Sequence, residues 1–328
     1  MPETELKDLE KLFIALAKNK GSDLHLKVGL KPIFRVAGVL HEAGPRVLTA
    51  DGLKKLVYEI LTEKQREKFA SASGGHDLDF AYSLEGTGRF RVNVFQERGQ
   101  VALAVRRVNT EIPSFEKLNL PPVLYQIASL KQGLVIISGA TGSGKSTTLA
   151  SIIQHINENR KCHIITIEDP IEYLFTDNKS FVNQREIGID VDSFRTALKY
   201  VVRQNPDVIL IGEMRDGESV EAGLMAAETG HLVLGTIHAS SAAQTLSRIL
   251  DFFPAERQDL IRQTLVFNLK GIICQKLVPS SKKELGVVPT VEIMLTNPSI
   301  QKLIQMKEDK KITEVMRSAT DEGMQDFN

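Results

Sequence analysis

Apolar positions along the first hundred residues change period several times. Leu6, Leu9, Leu12, Phe13 and Leu16 recur at helical spacing, and Lys20-Gly21 ends that segment. Short alternating stretches follow at 24–26 and 33–36, then at 90–95 and 101–105, where side chains alternate across a strand. Between the two pairs, residues 51–68 read as one further helix. Strands mixed with a few helices predict a small α+β domain over residues 1–110. Residues 110–122 hold three prolines and little periodicity, which marks 111–119 as a linker. Beyond it, apolar runs at 134–137, 164–167, 208–211 and 232–234 read as strands buried on both faces. Helical patterns separate them, so residues 120–328 are expected to form an α/β domain on a parallel sheet. From Pro254 onward the pattern reads as mostly helical, with Leu260, Ile261, Leu265 and Leu269 on one face.

A length of 328 residues accommodates two such domains. The 42% hydrophobic and 25% charged fractions are those of an ordinary globular protein. Lys+Arg and Asp+Glu balance at 41 each and there is no tryptophan, so neither charge nor stacking residues point to nucleic acid. No apolar run suggests a transmembrane helix, and the acidic start Met1-Pro2-Glu3-Thr4-Glu5 lacks a secretion signal. Cys162 and Cys274 stand apart without metal-ligand spacing, as expected of core residues in a reducing compartment. The expected location is the cytoplasm.

Gly139-Ala140-Thr141-Gly142-Ser143-Gly144-Lys145-Ser146 satisfies GxxxxGK[ST] at every fixed position. Glycines let the backbone curl so that successive N–H groups point at phosphate oxygens, and the following helix adds its positive N-terminal end. Lys145 can reach the β- and γ-phosphates, while the Ser146 hydroxyl can ligate Mg²⁺. A buried strand leads in, and Leu149, Ile152, Ile153 and Ile156 mark a helix leading out through Thr147. The pattern predicts an ATP site centred on Lys145.

Hydrolysis needs a carboxylate beside that site. Glu213 follows the aliphatic run 208–211 as a Walker B acid does, in reach of Mg²⁺ through ATP and water. Glu168-Asp169-Pro170-Ile171-Glu172 follows the run 164–167, on the strand edge where α/β folds place ligands. These acids either hold Mg²⁺ through water, orient the attacking water, or simply cap a helix. His231 and His238 flank the last run; both are structural, or a neutral imidazole beside the γ-phosphate senses ATP.

These boxes, in this order, resemble the ATPases of the type II secretion and type IV pilus superfamily. The stretches are 167–172, 212–216, 228–231 and 236–239. Gly21-Ser22-Asp23-Leu24-His25-Leu26, Val182-Asn183-Gln184-Arg185-Glu186 and Gly323-Met324-Gln325 make the chain similar to PilT-type retraction ATPases over nearly its whole length. The resemblance implies a RecA-like P-loop core, an N-terminal PAS-like domain, and a homo-hexamer working at the inner-membrane face of a pilus machine. Its partner would be a PilC-like platform protein embedded in that membrane. It also implies Glu213 as base or water-orienting residue, Glu172 and Glu168 beside it, and His238 and His231 coupling hydrolysis to movement. Arg91 and Arg107, and Arg98 with them, would act in a neighbour's site. Ser299-Ile300-Gln301-Lys302-Leu303-Ile304 departs from the AIRNLI motif of these proteins, with glutamine in place of arginine. That departure raises a second expectation, an auxiliary paralogue assembling with a principal PilT-type motor. Extension or secretion ATPases of the PilB or GspE kind carry a four-cysteine zinc insertion, which two lone cysteines cannot build. PilT-type relatives usually continue into another helix past the point where this chain stops, at Asn328.

Overall fold

The structure is a computed structural model describing residues 6–71, 76–108, 111–280 and 286–327. Residues 1–5, Thr110 and Asn328, used in the sequence reading, lie outside the described residues. The chain divides into two compact units at residues 110 and 111.

In the first unit, α1 (Asp8–Lys18) buries Leu9, Phe13 and Leu16, the stripe its spacing predicts. There follow β1 (Gly21–Leu26), β2 (Ile33–Val36), β3 (Val39–Glu42), α2 (Ala50–Ile60), α3 (Glu63–Ala70), β4 (Asp77–Leu84), β5 (Gly88–Glu97) and β6 (Gln100–Arg107). The strands form one antiparallel sheet in the order β3-β2-β1-β6-β5-β4. Phe13 stacks on Phe90 with ring centroids 4.6 Å apart, joining α1 to the sheet. The single helix expected over 51–68 is two. Leu61 is extended, and Thr62 exchanges hydrogen bonds with Gln65 in a capping box that starts α3 afresh. The signal was there to read in Thr62-Glu63-Lys64-Gln65.

The second unit runs α4 (Val123–Ser129), β7 (Gly133–Ser138), α5 (Lys145–Asn159), β8 (His163–Glu168), β9 (Phe181–Glu186), α6 (Phe194–Val201), β10 (Val208–Ile211), α7 (Gly217–Glu228), β11 (Leu232–Ile237), α8 (Ala242–Asp251), α9 (Ala255–Asn268), β12 (Leu269–Pro279), β13 (Val287–Leu295), α10 (Pro298–Gln305) and α11 (Ile312–Ser318). Its sheet has the order β13-β12-β7-β11-β10-β8-β9, parallel throughout except for β12 with β13. Successive strand residues alternate between two cores. Leu134, Ile136, Ile209 and Ile211 join one, while Val135, Ile137, Val208 and Leu210 join the other. Both faces are therefore covered, as continuous apolar runs require.

Two expectations change here. The segment 111–119 is packed rather than free, because Phe115 is 3% exposed and Ser151 Oγ donates to the Pro113 carbonyl at 2.8 Å. Prolines remove periodicity without preventing burial. The mostly helical reading after Pro254 also fails, since α9 stops at Asn268 and Leu269 opens the β12–β13 hairpin. Ile261 and Leu265 are buried, but Leu260 is 58% exposed. Short runs such as Gly271-Ile272-Ile273-Cys274 fit a buried strand and a helix equally by periodicity. The outer edge of β13 is closed by Gln325, whose backbone exchanges hydrogen bonds with Ile293 at 2.7 and 3.0 Å.

Candidate active site

Parallel register brings the sequence boxes together. Ile167 pairs with Ile211, Ile211 with Gly235, and Ile237 with Ser138. The segments leaving β7, β8, β10 and β11 thus emerge at one edge of the sheet, around a cavity of about 640 Å³. Lys145, Glu168, Glu172, Glu213 and His238 line it together.

The loop between β7 and α5 turns on three glycines with positive φ: 152° at Gly139, 77° at Gly142 and 87° at Gly144. Thr141 and Gly142 are exposed on its outer turn, Ser143 is buried, and Ser146 and Thr147 face the cavity from the start of α5. Lys145 Nζ donates to the carbonyls of Gly139 and Ala140, both at 2.9 Å. Burial holds this ammonium below the usual lysine range, against the pull of Glu213 and Glu172. Two loop carbonyls thus hold a partly desolvated cation at the start of α5. Phosphate oxygens are better acceptors for that cation than neutral carbonyls. Thr147 Oγ1 lies 2.9 Å from the Tyr173 hydroxyl, joining the helix start to the loop after β8.

Across the cavity, both oxygens of Glu213 are engaged. Oε2 meets Arg215 at 2.8 Å, and Oε1 lies 3.1 Å from His238 Nε2. Arg215 also approaches Asp169 at 3.9 Å. Glu168 Oε1 accepts from Thr166 Oγ1 at 2.6 Å and from Gln184 Nε2 at 3.2 Å. Burial nevertheless pushes its carboxyl up to about 7. Glu172 is exposed on the rim, and the Asp169–Pro170 peptide behind it is cis. Gln184 organises this rim. Its Nε2 also donates to the Tyr173 carbonyl at 2.8 Å, and its Oε1 accepts from the Phe175 N–H at 2.9 Å.

Four of the residues singled out from the sequence are not in this cluster. His231 precedes β11 at the opposite end of that strand, where its Nδ1 lies 2.8 Å from the Ala226 carbonyl, so a place beside the γ-phosphate is corrected. Two histidines seven apart in sequence sit at the two ends of one extended strand. Arg91, exposed on β5, and Arg107, half-buried on β6, belong to the first unit, as does the exposed Arg98. In turn, the sequence alone does not single out Tyr173, Thr148 or Gln275, and it gives Arg215 and Gln184 only within matched stretches, without a role. Gln275 had one faint signal, a lone amide after Ile272-Ile273-Cys274.

The donor set suits magnesium. The Ser146 hydroxyl and the carboxylates of Glu213, Glu172 and Asp169 are hard oxygen donors on one cavity. Among the described residues no group of three or more His, Cys, Asp or Glu forms a cage of its own. Magnesium held largely through phosphates and water needs none.

Residues 5–325 match the family described as Type II/IV secretion system protein. The chain belongs to that family. The Type IV pilus ATPase PilU of Pseudomonas aeruginosa is 42% identical over 321 residues, covering 98% of this chain and 83% of that protein. The Type IV pilus retractation ATPase PilT of the same organism is 38% identical, covering 97% and 91%. A crystal structure of the pilus retraction motor PilT with bound ADP superimposes with a TM-score of 0.88 at 45% identity, covering 96% of this chain and 90% of that one. Within the family the chain is thus a PilT- and PilU-like type IV pilus ATPase. Its second unit is a RecA-like P-loop core and its first a smaller PAS-like α+β unit. Among the described residues no helix is long and apolar enough to cross a membrane.

Proposed function

We propose that this ATPase is a hexameric motor that hydrolyses ATP to drive pilus retraction. The observation that carries the reading is the shared cavity, where Lys145 on its glycine loop faces Glu213 across about 640 Å³. Likeness to PilT over nearly the whole chain supports the biological role. Gly139, Thr141, Gly142, Ser143, Gly144 and Thr147 shape the phosphate cradle, and Lys145 transfers its hydrogen bonds from the loop carbonyls to β- and γ-phosphate oxygens. Ser146, and Glu213 through water, would hold magnesium, which when bound would supply positive charge beside those oxygens. Glu213 orients the attacking water and takes up its proton once Arg215 yields an oxygen. Glu172 holds water at the rim, Glu168 supports that loop, and His238 reports the state of Glu213 to the end of β11. Arg91 and Arg107 stabilise the transferring phosphoryl in a neighbouring subunit's site. The ring works in the cytoplasm against a PilC-like platform protein at the inner membrane, without nucleic acid.

A second reading, an auxiliary paralogue working beside a principal PilT-type motor, is favoured by Gln301 at the motif arginine position and by the likeness to PilU. One pair of experiments separates the activities. In purified protein, Lys145→Ala should abolish ADP binding, whereas Glu213→Gln should keep it and lower hydrolysis by about a hundredfold or more. In cells lacking all retraction ATPases, the wild-type chain should restore twitching; restoration only where a principal motor remains would establish the auxiliary reading. A fully active Glu213→Gln protein would remove the proposed chemistry.

A further inference from the structure

We infer that Gln275 is a positioning residue of the phosphate loop, fixing from β12 the direction in which the Ser143–Gly144 peptide points. The inference rests on the loop being the nucleotide site. Gln275 is 2% exposed, so its amide must be satisfied by protein groups. Its Nε2 donates to the Ser143 carbonyl at 2.8 Å, and its Oε1 accepts from the Thr148 hydroxyl at 2.8 Å. A carbonyl can only accept, which sets the amide nitrogen on the loop side and leaves the oxygen for Thr148.

A trans peptide is planar, with its C=O and N–H on opposite sides. With the Ser143 carbonyl held on Gln275, the Gly144 N–H is directed away from Gln275, and Gly144 lines the cavity. Glycine is required there twice over. Its φ is 87°, and a Cβ would sit 2.7 Å from Gln275 Nε2. Thr148 lies one turn into α5, so a single buried amide clamps the end of the loop to the helix that follows. A phosphate then meets a donor already oriented, and no peptide has to be reordered on binding.

The test uses the full chain with Gln275→Ala, Thr148→Val and the double variant, reading the ADP Kd by calorimetry, ATP KM and kcat, and Tm. Gln275→Ala should raise Kd and KM about five- to tenfold, the size of one lost buried hydrogen bond, with kcat changed less than about threefold. Thr148→Val, which frees the amide to rotate, should raise both by a smaller factor, and the double variant should match Gln275→Ala alone. A purely structural role would instead lower Tm and leave KM unchanged. Unaltered Kd and KM in folded Gln275→Ala would overturn the inference; if that variant does not fold, Thr148→Val decides it on the same readouts. Lys145→Ala runs in parallel. ADP binding lost there but normal in Gln275→Ala sinks this inference alone, whereas ADP binding that survives Lys145→Ala sinks the site itself.

Discussion

Glu168 shows how burial sets the state of a single side chain. Its carboxyl is raised from 4.5 to about 7, chiefly by burial, which the bonds from Thr166 and Gln184 only partly offset. Below about pH 4.5 the folded and unfolded chains both carry the proton. Between there and pH 7 the folded chain keeps a proton that the unfolded chain has lost, so stability falls as pH rises. Glutamine cannot ionise and so escapes this loss. Relative to the wild type, Glu168→Gln should therefore gain about 1–3 kcal/mol of stability between pH 5 and pH 8, read from urea melts without nucleotide or magnesium. A stability difference independent of pH would show that Glu168 is ordinarily ionised. At this scale the legible residues were those whose chemistry follows from a local pattern, such as Lys145 and Ser146. Gln275 was not, because its partners Ser143 and Thr148 lie 132 and 127 residues away. Gln184 was not, because its partners Phe175 and Glu168, 9 and 16 residues away, are met only through the loop between β8 and β9.

Elements were legible where one period ran long enough. The four central strands and α5 follow from continuous apolar runs and a helical stripe. The β12–β13 hairpin escaped because its strands are buried over only part of their length and their apolar runs are interrupted, by Gln275 and Lys276 in one and by Thr290 and Glu292 in the other. The segment carrying Gln301 lies on α10, where Ile300 and Ile304 are fully buried. The Gln301 amide donates to the Val266 carbonyl at 2.9 Å, satisfying one of the orphan acceptors in the last turn of α9. Nearby, Arg262 grips Asp309 with two bonds of 2.7 and 2.9 Å, both side chains nearly buried. Asp309→Ala would strand that guanidinium and should cost about 2–3 kcal/mol, a fall in Tm of about 4–12 °C. Glu308→Ala, which removes the exposed pair with Lys311, should cost less than about 0.5 kcal/mol. Equal losses in thermal melts would mean that the fork does not fasten α9 to the segment after α10.

For the whole molecule, the ring proposed above makes hydrolysis depend on assembly. ATPase rate per subunit should climb with protein concentration as light scattering shows a hexamer forming. Arg91→Ala and Lys145→Ala, each inactive alone, should recover activity when mixed, because an arginine donated in trans restores about three to five decades of rate at the intact sites. A monomer with a concentration-independent rate would retire the shared site.

Taken alone, the order of residues determined the chemistry of the phosphate loop, the acids that follow buried strands and the α/β class, because each is written in spacings of a few residues. Convergence was decided by tertiary structure. Parallel register carries Glu168, Glu213 and His238 to the edge that holds Lys145, and leaves His231 at the other end of its strand. Hydrogen bonds that span more than a hundred residues, such as those of Gln275, exist only once β12 lies beside β7. Local patterns encode what a side chain can do; the closing of the sheet determines what it meets.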